Sequence, residues 1–307
     1  MREIAPAFIK DNIPIVFSCD DNYLPYLTVI LHSIKMHSSK DCNYDICILY
    51  DLLNKENMNK IKNFIQDINI SIRFINISSY VYNAKKQVYF HIAAHFKEAN
   101  YYRFFIPSIF KNYKKIIYLD CDMLVLKDLK DLYLYNFNTS IAACKEFTAI
   151  LIVLNNIDKY YIDFINIKKP FKNICNYIQS GVLVYNISKC IEGNFTQKCL
   201  DTLKYLEYPP IVDQDVINSA FDGDISFLDV RWNFTWNLPI RYPNFKTLLP
   251  KAFIKDALKM IKNPYIIHYN DIFKPWNSPH LPNAHLWWHY ARQTPFYEEI
   301  LFKNITQ

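Results

Sequence analysis

Three glycines in 307 residues are too few for a GxGxxG turn or a P-loop, so any phosphate must be held by something other than a glycine-rich cradle. Long apolar runs are also missing. No segment approaches the ~18 consecutive apolar residues of a membrane span. The opening MREIAPAFIKDNIPIVF lacks the apolar stretch of a signal peptide, so the expected compartment is the cytoplasm. The eight cysteines (Cys19, Cys42, Cys47, Cys121, Cys144, Cys175, Cys190, Cys199) form no CxxC pair and read as reduced packing residues rather than a zinc site or disulfide framework. A net charge of +6 suits an anionic ligand or anionic membrane surface and falls well short of what a nucleic-acid partner demands.

What the chain does hold is apolar and aromatic: 51% of residues are hydrophobic and 17% aromatic, enough to bury one large α/β core. We expect a single domain over residues 1–307, with its core at 13–276 and a C-terminal helical extension at 277–307. Runs rich in β-branched residues predict strands at 13–19, 45–51, 70–77, 116–119, 140–144, 181–186, 225–228 and 265–269. Helical spacing predicts helices at 24–36, 54–67 behind an Asn54 cap, 100–110, 188–205, within 209–221, and at 284–302. This alternation predicts a Rossmann-like, mostly parallel sheet with flanking helices. Residues 78–99 read as a loop over the crevice, and 147–176 show no clean periodicity.

Chemistry-bearing residues cluster at the carboxyl ends of these strands, where open α/β sheets place their ligands. The run KKIIYLDCDMLVLKDL, residues 114–129, delivers Asp120 and Asp122 from a buried strand, two hard oxygen donors for a divalent cation. Asp-x-Asp alone is common in surface turns. Here both flanks are apolar, and burying two carboxylates without a counter-ion is costly. Asp20 and Asp21 either meet a ligand or cap the next helix. Asp213 and Asp215 lie in the first turn of a helix, where acids complement its dipole, so at least one reads as a cap. His91 and His95 meet a ligand or solvent, Gln179 to Gly181 form a further polar cluster, and His268 ends a strand ahead of Lys274-Pro275-Trp276. The basic segment 241–262 and the aromatic Trp287, Trp288, Tyr290 and Phe296 fit a solvated face and core packing, or else peripheral contact with anionic lipid.

In order and spacing, Phe17-Ser18-Cys19-Asp20-Asp21-Asn22-Tyr23, Tyr118-Leu119-Asp120-Cys121-Asp122, Ser180-Gly181-Val182-Leu183-Val184-Tyr185-Asn186, Asp213-Gln214-Asp215 and His268 with Lys274-Pro275-Trp276 resemble the family 8 glycosyltransferases. That family includes bacterial lipopolysaccharide galactosyl- and glucosyltransferases and glycogenin. The resemblance implies a GT-A fold, a UDP-hexose donor, Mn²⁺ (Mg²⁺ as the alternative) and retention of anomeric configuration. Under it, Asp120, Asp122 and His268 are metal ligands. Ser18, Cys19, Asp20, Asp21, Asn22 and Tyr23 form the uridine and ribose site, and Cys121 and Ser180 also lie at the donor. Arg103 and Lys274 touch the sugar or diphosphate. Gln179, Asp213 and Gln214 contact the donor sugar, and Gln214, Asp213 and Lys274 form the catalytic set, with Gln214 beside the anomeric carbon.

The implied activity is transfer of glucose or galactose to a glycan or glycolipid acceptor, in lipopolysaccharide or other surface-glycan synthesis. Gln179, Glu146 and Asp271 stand where the family commonly has Asn, Asp and Gly: the longer Gln179 and Glu146 would shift the sugar pocket and bear on the choice of hexose, and an acid at Asp271 is unexpected beside a diphosphate unless it points away or meets the acceptor. A sugar nucleotidyltransferase would want the glycine-rich loop this chain lacks. A non-catalytic, membrane-associated nucleotide-sugar-binding protein is the remaining alternative.

Overall fold

The computed structural model describes residues 4–92 and 97–305. Among them lie ten strands: β1 (Asn12–Ser18), β2 (Asn43–Tyr50), β3 (Ile70–Asn76), β4 (Lys115–Leu119), β5 (Met123–Val125), β6 (Ile141–Lys145), β7 (Ile178–Asn186), β8 (Ile225–Phe227), β9 (Phe234–Thr235) and β10 (Ile266–His268). Seven form one twisted sheet in the order β3-β2-β1-β4-β7-β6-β8. Its central strands are almost wholly buried on both faces, which is why they read as continuous Ile, Val, Leu and Tyr runs rather than alternating ones. The helix Leu24–His37 packs on one face through Leu27, Ile30, Leu31 and Ile34, each at most 2% exposed. Each such side chain contributes roughly 1.5–3 kcal/mol of burial.

The expected α/β class and mostly parallel sheet hold, with one reversal. β7 runs antiparallel to both neighbours, β4 and β6, while the other six strands share one direction. Gln179, Ser180 and Gly181 therefore lie at the start of a strand, not at its carboxyl end as the sequence suggested. Because β7 is reversed, its start falls on the same edge of the sheet as the carboxyl ends of β1 and β4.

A second, three-stranded sheet, β5-β10-β9, sits beside that edge. β10 pairs antiparallel with β5 and parallel with β9, so a segment near the end of the chain is clamped against the one that follows Asp122.

Several helices differ from the spacing. The expected 188–205 helix is two, Ile187–Glu192 and Phe195–Leu206, broken where Asn194 takes φ 50°. The 284–302 helix is also two, Ala284–Ala291 and Tyr297–Ile305, with Pro295 between them unable to donate a helical hydrogen bond. The 100–110 segment is a 3₁₀ stretch, Glu98–Phe105, followed by a short α-turn, Ile106–Ile109. The expected loop after residue 77 begins with a helix, Ser78–Lys85, and the unassigned 147–176 region supplies helices Phe147–Leu154 and Lys159–Lys168.

Candidate active site

Backbone pairing alone brings the three candidate ligands together. Beyond β4, Asp120 N–H donates to Gly181 O at 2.9 Å, and Tyr269 N–H donates to Asp122 O at 2.9 Å, the latter continuing the ladder in which His268 pairs with Met123. The outcome is an Asp120–Asp122–His268 group whose ligand atoms all lie within 4.8 Å of one another. His268 Nε2 stands 3.2 Å from Asp122 Oδ1 and 3.8 Å from Asp120 Oδ2. Two carboxylate oxygens and an imidazole nitrogen suit Mn²⁺ or Mg²⁺, and His268 is only 2% exposed, so these residues fit a bound divalent cation.

Cationic side chains balance both acids. Lys274 Nζ donates to Asp122 Oδ2 at 2.5 Å and to Tyr269 O at 2.6 Å. Burial pushes the Asp122 carboxyl up, but Lys274 and His268 outweigh it and hold the carboxyl well below the usual carboxylate range. Arg103, fully buried, donates to Asp120 Oδ1 at 2.7 Å and to Ser180 O at 2.6 Å, and its Nε lies 3.2 Å from Asp213 Oδ2. Burial pushes the Asp213 carboxyl up to about 6 against the opposing pull of Arg103.

These groups line a cavity of about 520 Å³ at the carboxyl edge of the main sheet. Of the residues singled out from sequence, Ser18, Cys19, Asp20, Tyr23, Arg103, Asp120, Cys121, Asp122, Gln179, Ser180, Asp213, Gln214, His268 and Lys274 all line it, as does His91. Asp21 and Asn22 do not. Both are exposed, and Asp21 Oδ1 instead accepts from the Asn54 N–H at 2.8 Å. His95 lies outside the described residues.

The two acids of the 213–215 motif separate by role. Asp215 accepts from the N–H of Ile211, the residue ahead of helix Val212–Ala220, and from the hydroxyls of Tyr161 and Tyr177, so it braces the start of the helix, whose N-cap Ile211 has no side-chain cap. Asp213 turns the other way, onto Ser180 Oγ at 2.8 Å. Between them Gln214 accepts from Ser180 N–H through Oε1 and donates to the Tyr177 hydroxyl through Nε2. Asp271, unexpected beside a diphosphate, pairs with Arg241.

Sequence reading missed three contributors. Asn233, in the aromatic RWNFTWN segment, lies 3.1 Å from His268 Nδ1. Thr148 and Asn237, joined by a 3.1 Å hydrogen bond, also line the cavity. None had a signal, because an asparagine or threonine in an irregular stretch is indistinguishable from a turn residue until the chain is folded.

A Rossmann-like sheet with an acid-acid-histidine group at its carboxyl edge defines the GT-A class of glycosyltransferases, and solved structures of that class match. The chain is similar to the bifunctional glycosyltransferase WbbM (TM-score 0.82, 26% identity, covering 98% of this chain and 53% of that one, about half its length). It is similar also to the galactosyltransferase LgtC solved with donor and acceptor sugar analogs (TM-score 0.72, 20% identity, covering 92% and 96%). In sequence it is 22% identical to the lipopolysaccharide 1,2-glucosyltransferase of Escherichia coli K12, over 86% of this chain and 72% of that one. The sequence profile of glycosyl transferase family 8 matches residues 14–279, and the chain belongs to that family.

Proposed function

We propose that this chain transfers a hexose, glucose or galactose, from UDP-hexose to a glycan or glycolipid acceptor with retention of anomeric configuration, in lipopolysaccharide or other surface-glycan synthesis. The observation that carries the reading is the convergence of Asp120, Asp122 and His268 in a cavity that also holds Lys274. A divalent cation held by those three residues, Mn²⁺ or Mg²⁺, would supply positive charge against a departing diphosphate. The buried Lys274 ammonium supplies a second positive centre at the same edge, preorganised by its bonds to Asp122 and to the Tyr269 carbonyl.

Ser18, Cys19, Asp20 and Tyr23 line one wall of the same cavity, which supports the nucleoside site there. Gln214 is neutral and bonded at both ends, so it orients rather than attacks. The acceptor hydroxyl then attacks from the face the diphosphate leaves, and its proton passes to a leaving phosphate oxygen.

The test is UDP release and product mass with UDP-glucose and UDP-galactose, with and without Mn²⁺, against Asp122→Ala. The reading fails if wild type uses neither donor and Asp122→Ala binds Mn²⁺ and UDP as tightly as wild type does.

The reaction belongs on the cytoplasmic side of a membrane. No helix among the described residues is long and apolar enough to cross one. Helix Lys251–Lys262 exposes Lys251, Lys255, Lys259 and Lys262, which supports peripheral contact with anionic lipid. Flotation with liposomes that does not depend on anionic lipid would remove that part.

A further inference from the structure

The ring of His268 must present one particular nitrogen to the acids, and the groups that decide which are not ligands themselves. Asn233 Oδ1 lies 3.1 Å from His268 Nδ1 on the side of the ring away from Asp120 and Asp122. An amide oxygen only accepts, so Nδ1 carries a proton and Nε2 is the nitrogen left to face the carboxylates, where it can give its lone pair to a cation. The assignment depends on which way the Asn233 amide is turned. That is set by its other end: Asn233 Nδ2 donates to Gln179 Oε1 at 2.6 Å.

Gln179 is fixed in turn, because the same Oε1 accepts from the Gly181 N–H at 2.5 Å. A backbone N–H cannot be anything but a donor, so it anchors the whole order: Gly181 N–H to Gln179, Asn233 N–H to Gln179, His268 N–H to Asn233. All three side chains are buried, at 6% exposure or less. Turning the Gln179 amide around would set its NH₂ against two N–H donors, and turning Asn233 around would set its oxygen against Gln179 Oε1, each a buried mismatch.

We infer that Gln179 and Asn233 are positioning residues for metal binding, a relay that starts at the Gly181 backbone and delivers the Nε2 lone pair of His268 to a divalent cation. The inference rests on the proposed metal reading of the Asp120–Asp122–His268 group. It gives Gln179 a task beyond the donor-sugar contact implied by family resemblance. It also gives a reason for a glutamine at this position: Asn233 Nδ2 and Gly181 N–H converge on a single oxygen at the end of the longer side chain. Groups behind a metal-ligating histidine typically change metal affinity about 10–100-fold when removed.

The experiment is Mn²⁺ titration of the whole chain without donor, reading free Mn²⁺ by electron paramagnetic resonance, with thermal unfolding to select folded variants. Asn233→Leu and Gln179→Leu should each weaken Mn²⁺ binding about 10–100-fold. Gln179→Glu keeps an oxygen that accepts both N–H groups and should bind at least as tightly as wild type. A purely structural role for these residues would lower the melting temperature but leave affinity per folded molecule unchanged.

Wild-type affinity in either folded leucine variant overturns the relay, as does failure of Gln179→Glu to hold Mn²⁺. Wild-type protein that takes up no Mn²⁺ is a different result, since it sinks the metal reading itself and the relay with it.

Discussion

The backbone of Gly181 passes so close to the His268 imidazole that a Cβ there would stand 2.5 Å from Cε1. The same atom would lie 2.7 Å from Asp120 Oδ2 and 2.8 Å from Gln179 Oε1, so one methyl group would collide with two candidate ligands and the relay behind one of them. Gly181→Ala should therefore weaken Mn²⁺ binding at least about tenfold. Its overpacking should cost about 1–3 kcal/mol of stability. Titration calorimetry with Mn²⁺ and a denaturant melt read the two effects, and a variant with wild-type affinity would show that the strand can move aside.

Lys274 and a bound cation both draw on the negative charge of Asp122, since Nζ lies 2.5 Å from Oδ2. Removing the ammonium in Lys274→Ala should tighten Mn²⁺ binding by at least about tenfold, because a unit charge about 4 Å away is worth about 4 kcal/mol at an effective dielectric near 20 before solvent screening. Transfer should fall by about a hundredfold or more, as for loss of one preorganised electrostatic group. Affinity and turnover moving in the same direction would contradict this division of labour.

The raised carboxyl of Asp213 has a defined effect on stability. With its folded value near 6 against an ordinary value of 3.8, the metal-free folded state holds more protons than the unfolded one between those limits. Stability is then lost as pH rises through the window, by about 3 kcal/mol if the whole shift is realised. Asp213→Asn removes the titration. Measured by urea unfolding at pH 4 to 7, the variant should gain on wild type as pH rises, whereas a constant offset would show that the carboxyl is not perturbed.

Away from the cavity, Asp45 is 0% exposed in β2 and is held by Arg73 Nη2 at 2.6 Å and by the Tyr113 hydroxyl at 2.8 Å. Arg73→Leu strands that carboxylate and should cost about 3–5 kcal/mol. Adding Asp45→Asn should recover part of the loss. Equal stability of the single and double variants would mean that the charge is not what matters.

Much of this site was legible in the chain. Ile116 to Leu119 form a buried strand because a short β-favouring apolar run has few alternatives, and Asp120 and Asp122 follow it directly. Asn54 capped its helix as expected, its Oδ1 accepting from the Glu56 N–H at 2.8 Å. Other features had no local signature. The reversal of β7 is set by its partners, because an apolar strand buried on both faces reads the same in either direction. The division between Asp213 and Asp215 depended on Ser180, Tyr161 and Tyr177 arriving from other segments.

The sequence by itself determined which residue types stand at the ends of which strands, since period and composition are local and survive in one dimension. Only the tertiary structure decided that β5 and β10 would pair and so place His268 over Asp122, and that Asn233 and Gln179 would stand behind the ring. A hydrogen-bond order is a property of atoms in space, and no spacing along the chain encodes which amide end meets which partner.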